Sequence, residues 1–413
     1  MPSPSPITVR ALEPDELDLY HRVNAASFGL PPDPAQIDSK REMVEIDRWY
    51  LVECDGEPCG GAGSFATELT IPGGAVLSAA AVSDVGVLAT HRRRGALSAL
   101  MRRQLTDLRE RGQCVALLHA SEARIYRRYG YGTATRWRQM SARTERTEFR
   151  EDWPDPGGRT SIVPRADARE LCASVHDRAR LARPGGLARN EAWWNVVLGD
   201  VASYLGGDPR RLLMLHHDDD GIADGYAIYQ ITDDWSSGQA EHDLEVWELI
   251  GVDTAIELDL WRVLLGHDLV SSVSGAIAPD HPLFDVVTDP RQVRTELDQD
   301  LLWIRLLDLE RALVARTYVG EGSVVFDVFD PLFDDVTGRY LLEVGGGTAC
   351  CERTEAVADL TLGVGELGSC FLGGNSFRRL VRAGQVTEHT AGAAMLADGL
   401  FAVDPSPWCW VRF

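Results

Sequence analysis

The first 140 residues alternate between segments whose apolar residues follow helical spacing and segments whose apolar residues follow extended spacing. Helical spacing predicts three helices, over residues 13–28, 95–111 and 121–129. Extended spacing predicts four strands, over residues 48–53, 60–69, 75–87 and 114–119. The first two strands are joined across Asp55-Gly56, a dipeptide typical of hairpin turns. This alternation predicts an α/β domain.

Beyond residue 140 the pattern lapses and then resumes twice. Residues 141–160 are polar and contain Pro and Gly, which is typical of a linker. Residues 161–295 repeat the order of strands and helices of the first domain, whereas the last part mixes strands, glycine turns and a final helix, as an α+β domain does. The sequence therefore predicts three domains, over residues 1–140, 141–296 and 297–413.

Composition narrows the classes of protein that the chain can belong to. Its 413 residues contain no apolar run of about 18, so we predict no membrane span. The N-terminal segment has neither a basic region nor an apolar stretch, so we expect no signal peptide. None of the 8 cysteines lies in C-x-x-C spacing, which predicts buried, reduced thiols and a cytoplasmic protein without a zinc framework. In the run His216-His217-Asp218-Asp219-Asp220, consecutive residues of a strand point to opposite faces and the aspartates are predicted to form a solvated turn, so we predict no metal site there.

The charge is unevenly distributed. The formal net charge is −22, and Lys40 is the only lysine among the 41 basic residues. Residues 91–140 nevertheless carry 12 arginines against three acids. Strong net acidity disfavours nucleic acid and anionic membrane surfaces and favours cationic partners, whereas the basic segment predicts a site for an anion.

The basic segment contains a strand, an arginine-rich turn and a helix in succession, Val85-Gly86-Val87-Leu88-Ala89-Thr90-His91-Arg92-Arg93-Arg94-Gly95-Ala96-Leu97-Ser98. Unpaired N–H groups and the helix dipole favour an anion at such a helix start, and Gly95 lets the anion approach the backbone. We therefore predict a diphosphate site. Neither a P-loop nor a dinucleotide fingerprint is present. The alternative is a surface helix that begins with solvated arginines.

A second motif follows at residues 119–131, where His119 ends a strand and Tyr126-Arg127-Arg128-Tyr129-Gly130-Tyr131 ends a helix that Ser121 can cap. The arginine-glycine turn and this second motif resemble those of the GCN5-related N-acetyltransferases. The resemblance implies acyl transfer to an amine, which needs a neutral nucleophile, a polarised thioester carbonyl and a proton for the departing thiolate. A backbone N–H near Val87 can polarise the carbonyl, and Tyr126 can donate the proton. The alternative for Tyr126 is a core aromatic residue.

Together these motifs and the length of the chain resemble the Eis-type (enhanced intracellular survival) family of GCN5-related N-acetyltransferases. The resemblance implies an acetyl-CoA-binding acetyltransferase domain, a second, degenerate copy, and a C-terminal sterol-carrier-like domain. It also implies a homohexamer and acetyl-CoA as the co-substrate, with no metal. The residues that it implies for the coenzyme are Val85, Gly86, Val87, Arg93, Arg94, Gly95, Ala96, Leu97, Ser98, Ser121 and Glu122.

The same resemblance implies that Tyr126 is the general acid and that the carboxylate of Phe413 is the general base. The tail is consistent with that role, because residues 405–413 carry two Trp, a Val and a terminal Phe, whereas disordered tails are polar. The alternative is a tail that only packs on its own domain. Arg412 departs from this picture of a free basic carboxylate, since a cation beside the terminal carboxylate can pair with it and lower the basicity of the carboxylate.

The sequence thus predicts an acetyl-CoA-dependent N-acetyltransferase that acts on primary amines of cationic substrates, for which the resemblance suggests aminoglycosides, polyamines or lysine. Phe28, Trp49 and Asp84 are candidate substrate contacts. The second copy has Asp253 and no arginines at the matching helix start, so we expect it to bind no coenzyme. Two alternatives stay open, namely a protein-lysine acetyltransferase and a non-catalytic lipid-binding or structural protein.

Overall fold

The computed structural model describes residues 6–203 and 205–413. The chain divides into two compact units. The first comprises the described part of Met1–Ala134 together with Leu302–Val403 and Arg412–Phe413. The second comprises Thr135–Leu301 and Asp404–Val411 without residue 204. Both units are therefore built from segments that are distant in sequence.

The helices and strands fall into three groups along the chain. The first group is β1 (Ile7–Ala11), α1 (Leu17–Ser27), α2 (Pro34–Lys40), β2 (Tyr50–Cys54), β3 (Glu57–Thr70), β4 (Val76–Val87), α3 (Ala96–Glu110), β5 (Val115–His119), α4 (Ala123–Tyr126) and β6 (Gly132–Thr133). The second is β7 (Arg136–Arg143), β8 (Arg159–Val163), α5 (Arg169–Ala182), α6 (Glu191–Val197), β9 (Leu212–His217), β10 (Ala223–Thr232), β11 (His242–Gly251), α7 (Thr254–Leu265), β12 (Val270–Ile277), α8 (Leu283–Val286) and β13 (Val293–Asp300). The third is β14 (Leu302–Leu306), α9 (Leu309–Ala315), β15 (Gly322–Phe329), β16 (Gly338–Gly345), β17 (Thr348–Arg353), β18 (Leu360–Gly363), α10 (Val364–Phe371), α11 (Phe377–Arg382), β19 (Val386–Glu388) and α12 (Ala393–Leu400).

The first sheet has the order β1-β2-β3-β4-β5-β14-β6 and belongs to the first unit. All its pairs are antiparallel except β4 with β5. Asp55 and Gly56 have positive φ angles of 58° and 83° in the predicted hairpin turn between β2 and β3. The buried face of α3 packs through Ala96 and Leu100 onto residues of β2 and β3. This packing fixes the start of α3 beside the end of β4.

One strand of the first sheet was expected elsewhere. Residues 302–305 fall within the predicted C-terminal domain, residues 297–413, but β14 lies between β5 and β6 of the first sheet. Leu302 pairs with His119 and Leu306 with Val115. Pairing between strands so far apart in sequence leaves no local signal, so the predicted boundary at residue 296 misplaces this strand.

The second sheet has the order β13-β7-β12-β11-β10-β9-β8 and belongs to the second unit. Its apolar core lies between the sheet and α7, with Leu260, Trp261 and Leu264 fully buried. The structure also differs from the predicted domain boundary at residue 140 and from the predicted linker over residues 141–160. Strand β7 runs to Arg143, and Phe149 bridges to Val287, so part of the predicted linker is ordered within this unit.

The third sheet has the order β17-β16-β15-β18-β19 and is covered by the last helices of the chain. Its aromatic core includes Phe326, Phe377 and Phe401, whose ring centroids lie 5.1–6.2 Å apart. A buried ion pair joins it to the first sheet within the same unit. Arg305 of β14 donates to Asp330 at 2.5 Å, and neither side chain has exposed surface.

Several further elements extend the prediction. Helices α2 and α6 and strand β13 were not predicted. Helix α2 and strand β13 carry too few apolar residues to show a period, whereas α6 is short and apolar at five of its seven positions, so it shows no amphipathic period either. Lys40, at the end of α2, is 6% exposed, and burial lowers its pKa.

Within residues 6–203 and 205–413 no helix is both long and apolar enough to cross a bilayer. No group of three or more His, Cys, Asp or Glu side chains in those residues is arranged to hold a metal ion.

We predict that Asp330→Ala destabilises the first unit by about 3–5 kcal/mol, because the buried Arg305 guanidinium loses its counter-charge. The matched control is Asp335→Ala, which removes the more exposed pair between Asp335 and Arg109 and is expected to cost about 0–1 kcal/mol. Urea denaturation of both variants measures the free energy of unfolding. Equal effects of the two substitutions would contradict this account of the buried pair.

Candidate active site

The site begins where β4 and β5 diverge. Their parallel pairing covers only Ala79–Ala81 against Val115–Leu117, although β4 continues to Val87 and β5 to His119. The outer edge of β5 is paired with β14 over its whole length. A gap therefore opens between the ends of two adjacent strands, and no strand of the described chain pairs with the β5-facing edge of β4 beyond Ala81.

A bulge in β4 shapes the wall of this gap. Between Ser83 and Gly86 the strand has one residue more than β3, and Asp84 there has a positive φ of 55°. The carbonyl oxygen of Asp84 accepts hydrogen bonds from the Asn24 side chain at 2.6 Å and from the Tyr20 hydroxyl at 3.3 Å, so α1 holds the bulge in place.

Gly86 is required by its close approach to α1. A Cβ atom at this position would lie 1.9 Å from the Oγ of Ser27 and 3.4 Å from the ring of Phe28. Ser27 and Phe28 therefore stand directly against β4 at the mouth of the gap, and Phe28 is 46% exposed there.

The turn after β4 opens the start of α3. Arg93 and Gly95 both have positive φ angles, 64° and 98°. Gly95 occupies the N-cap position of α3, and no side chain caps that helix end. The first N–H groups of α3 are therefore available to an anion, as the sequence predicts. Ser98, one turn into the helix, hydrogen-bonds through its Oγ to the Tyr129 hydroxyl at 3.1 Å.

Helix α4 and the following 3₁₀ turn, Arg127–Tyr129, form the other side of the gap. Tyr126 is 5% exposed, and burial raises the pKa of its phenol, whereas a hydrogen bond with Ser121 works in the opposite direction. Ser121 does not cap the helix as expected, because Glu122 occupies the N-cap position and makes no side-chain capping bond. Ser121 serves instead as a partner of Tyr126.

These elements enclose a cleft of about 810 Å³. Most predicted site residues line it: Phe28, Val85, Gly86, Val87, Arg93, Gly95, Ala96, Leu97, Ser98, Ser121, Glu122 and Tyr126. Sequence reasoning missed others that line it: Ser27, His91, Arg92, Arg124, Ile125 and Arg128. The four-residue spacing of Arg124 and Arg128 is the signal that would have placed both on the same side of the predicted helix.

Four predicted residues, Trp49, Arg94, Asp84 and Phe413, do not line the cleft. Trp49 is 1% exposed and packs edge-on against Tyr20 and Phe65, so it has almost no surface to offer a substrate. Arg94 does not line the cleft, and its charge lowers the otherwise raised pKa of the Cys59 thiol. Asp84 lies in the bulge behind the wall, with its carbonyl held by α1.

The C-terminal residue lies at the end of β5. Phe413 is 7% exposed, and its ring centroid is 4.4 Å from that of His119. Burial, together with the positive charge of Arg412, lowers the pKa of His119 to about 3, so this imidazole is neutral at ordinary pH. Its buried Nε2 has no hydrogen-bond partner among the described residues. The Phe413 ring is thus packed on the end of β5.

The residues of the cleft fit a diphosphate. Arg92, Arg93, Arg124 and Arg128 line it together with the uncapped start of α3, against the single carboxylate of Glu122. Guanidinium groups and backbone N–H groups at a helix start are strong donors to phosphate oxygens. The charge of the cleft is therefore that required for the diphosphate of a coenzyme A thioester.

The corresponding position in the second unit differs in charge. Strand β11 also leads into a helix after a parallel pairing with β12, but Asp253 caps α7 by accepting from the Ile256 N–H at 3.0 Å. The start of α7 is thus capped by a carboxylate, whereas the start of α3 in the first unit, at Gly95, has no side-chain cap. This observation supports the prediction that the second copy binds no coenzyme.

Comparison with known proteins defines the family. Residues 8–134 and 185–306 each match a sequence model described as an acetyltransferase (GNAT) domain, and residues 309–410 match one described as a sterol carrier protein domain. The chain is 34% identical over 394 residues to the N-acetyltransferase Eis of Mycobacterium bovis, covering 92% of this chain and 93% of that protein. The chain belongs to the Eis-type family of N-acetyltransferases. This membership confirms the predicted enzyme class and the predicted fold of two acetyltransferase domains and a sterol-carrier-like domain.

Two further proteins match along almost the whole length of the chain. An uncharacterized N-acetyltransferase of Streptomyces avermitilis is 37% identical over 415 residues, which cover 99% of each chain. The crystal structure of Eis1 from Mycobacterium abscessus superposes with a TM-score of 0.86 at 34% identity, covering 98% of this chain and 100% of that one. The acetyltransferase fold of the Eis-type family implies acetyl-CoA as the co-substrate.

We predict that Arg93→Ala raises the KM for acetyl-CoA about 10-fold or more, because one charge-assisted hydrogen bond to phosphate contributes about 1.5–3 kcal/mol. Arg94→Ala is the matched control, since Arg94 belongs to the same turn and lies off the cleft. Initial rates at varied acetyl-CoA concentration measure the KM for acetyl-CoA of both variants. A larger effect of Arg94→Ala would contradict the placement of the diphosphate described above.

Proposed function

We propose that this enzyme transfers the acetyl group of acetyl-CoA directly to a primary amine of a cationic substrate, such as an aminoglycoside-like compound, a polyamine or lysine. The observation that carries the proposal is the cleft itself. It combines the uncapped start of α3, the backbone of Val85–Val87 and the hydroxyl-bearing Tyr126 in one cavity. Anion binding, carbonyl polarisation and proton donation are the three functions that acetyl transfer needs.

The proposed binding mode follows the shape of the cleft. The start of α3 and the neighbouring arginines hold the diphosphate, and the gap between β4 and β5 takes the pantetheine arm. A backbone N–H of Val85–Val87 polarises the thioester carbonyl, since this edge of β4 has no strand partner in the described part of the chain. The amine approaches from the side of Phe28.

Two protein groups accept and donate the protons of the proposed reaction. The Phe413 carboxylate accepts a proton from the amine, the amine nitrogen forms a bond to the carbonyl carbon, and the bond between that carbon and sulfur breaks. Tyr126 donates the proton that the departing thiolate needs. The Tyr126 phenol, whose pKa burial raises further above neutral pH, carries the proton that the acid needs.

The cationic nature of the substrate is inferred from charge. A formal net charge of −22 attracts amines that are protonated in solution and raises their local concentration. The alternative of a protein-lysine substrate shares this chemistry and differs in the size of the acceptor. The non-catalytic alternative does not fit the family. A homohexamer and a cytoplasmic location remain predictions from the family resemblance and from the cysteine pattern.

The acceptor class is tested by thiol release from acetyl-CoA with a panel of amines. We expect turnover with aminoglycosides and polyamines and at most slow turnover with lysine-containing peptides. The panel includes neutral primary amines of similar size as the control for charge. Turnover that is confined to peptides would replace the proposal by the protein-lysine alternative, and equal rates with neutral amines would remove the role of charge.

The general acid is tested by Tyr126→Phe, which keeps the ring and removes the proton. We expect kcat to fall by about 10²–10⁴-fold with little change in the KM for acetyl-CoA. Tyr131→Phe is the matched control, because the Tyr131 hydroxyl is equally buried and has no hydrogen-bond partner among the described residues. Full activity of Tyr126→Phe would refute the assignment of the acid.

A further inference from the structure

The second unit makes extensive contacts with the C-terminal tail. Residues Asp404–Val411 belong to this unit, whereas Arg412–Phe413 belong to the first. Trp408, Cys409 and Val411 are 8%, 2% and 0% exposed. Chain ends are normally poorly ordered unless the fold holds them, so the contacts that bury these residues call for a physical explanation.

Two charged side chains hold the backbone of Ser406. Arg183, directly after α5, donates its Nε to the Ser406 carbonyl at 2.9 Å, and Asp280 accepts the Ser406 N–H at 2.6 Å. The two side chains also bond to each other at 2.6 Å. Both polar groups of one tail residue are thus bound by a single ion pair, which fixes the direction of the chain at that point.

Two residues further on, the backbone of Trp408 lies directly on a glycine. The Trp408 N–H donates to the Pro184 carbonyl at 2.8 Å. A Cβ atom on Gly185 would lie 2.8 Å from the Trp408 carbonyl oxygen and 3.2 Å from its nitrogen. Gly185 also has a φ of 95°, which other residues adopt only with strain. The tail therefore lies in a groove that only glycine leaves open.

Buried polar groups line the tail where it continues. Arg189 and Glu248 form an ion pair in which each side chain is 2% exposed, and the charge of Arg189 acts on the Cys409 thiol. The Trp410 ring packs edge-on against His176, with centroids 6.1 Å apart. Neither ring nitrogen of the buried His176 has a hydrogen-bond partner among the described residues. The tail thus covers a polar interior that would otherwise meet water.

We propose that the second acetyltransferase-like domain acts as a clamp for the catalytic C-terminus, with Arg183, Gly185 and Asp280 as positioning residues. This inference rests on the proposed role of the Phe413 carboxylate as general base. A base must be held within about 0.5 Å of its working position, and a free chain end does not meet that requirement. The fixed course of residues 404–411 limits the positions that Phe413, two residues later, is able to take.

The main test is Gly185→Ala, which places a methyl group against the Trp408 backbone. We expect kcat to fall about 100-fold, as misplacement of a catalytic group by about 1 Å does, with the KM for acetyl-CoA unchanged. Gly221→Ala is the matched control, since Gly221 lies in the same domain with a φ of 80° and has no atom within 4 Å of the added Cβ. An equal loss of kcat in both variants would overturn the clamp, because backbone strain alone would explain it.

A double variant separates positioning from folding. Removal of Phe413 moves the terminal carboxylate back by one residue, to Arg412, and is expected to lower kcat strongly. Gly185→Ala in the shortened chain should then cause no further loss, because both changes act on the same group. Additive losses would overturn the proposed link. An unchanged kcat after removal of Phe413 would overturn the base assignment and, with it, the positioning role.

Release of Phe413 by carboxypeptidase tests the clamp independently of catalysis. In native protein we expect slow release, because the buried tail must first open. Gly185→Ala and Asp280→Ala should accelerate release, and Asp280→Asn, which keeps an acceptor for the Ser406 N–H, should do so less. Unchanged release in Gly185→Ala would overturn the clamp whatever the kinetic result, whereas faster release without loss of kcat would overturn only the catalytic consequence.

Discussion

The divergence of β4 and β5 is the constraint on which the site depends. Two parallel strands that pair for three residues and then separate expose backbone groups that a continuous sheet would bury in hydrogen bonds. The fold tolerates the gap because each strand is held from its other side. Strand β3 and α1 hold the bulge of β4, and β14 pairs with β5 as far as His119. Backbone N–H groups become available for a ligand only because these other contacts are complete.

The chemistry of the cleft follows from small residues and from burial. Gly86 brings β4 close to Ser27, and Gly95 leaves the start of α3 without a side-chain cap. Burial raises the pKa of Tyr126 and keeps His119 neutral. The second unit shows the opposite choice at the same point of a related fold, where Asp253 caps α7 with a carboxylate. One residue type at a helix start thus changes an anion site into a closed helix end.

The sequence was most informative where a signal is local. Hydrophobic spacing predicts β4, α3 and β5 to within about two residues, and the turn between β4 and α3 carries its charge and its glycine within one segment. Side-chain direction within that turn is not local. Arg93 and Arg94 are neighbours, yet only Arg93 lines the cleft, because its positive φ redirects the chain. Trp49 was predicted to contact the substrate, but its ring fills the core against Gly63, where a Cβ atom would lie 2.3 Å from that ring. Pairings such as β5 with β14 depend on residues that no nearby pattern connects.

The late position of β14 has a consequence for how the enzyme is made. A ribosome completes β5 long before it reaches Leu302, and β6 has no strand partner in the described chain other than β14. Until then the edge of β5, with Val115–Leu118 all apolar and almost fully buried in the finished fold, is unpaired. A fragment that ends at residue 140 would retain this open edge permanently and invite pairing with other chains. The acetyltransferase domain is therefore first in sequence but cannot close its sheet until three quarters of the polypeptide, roughly, has been translated.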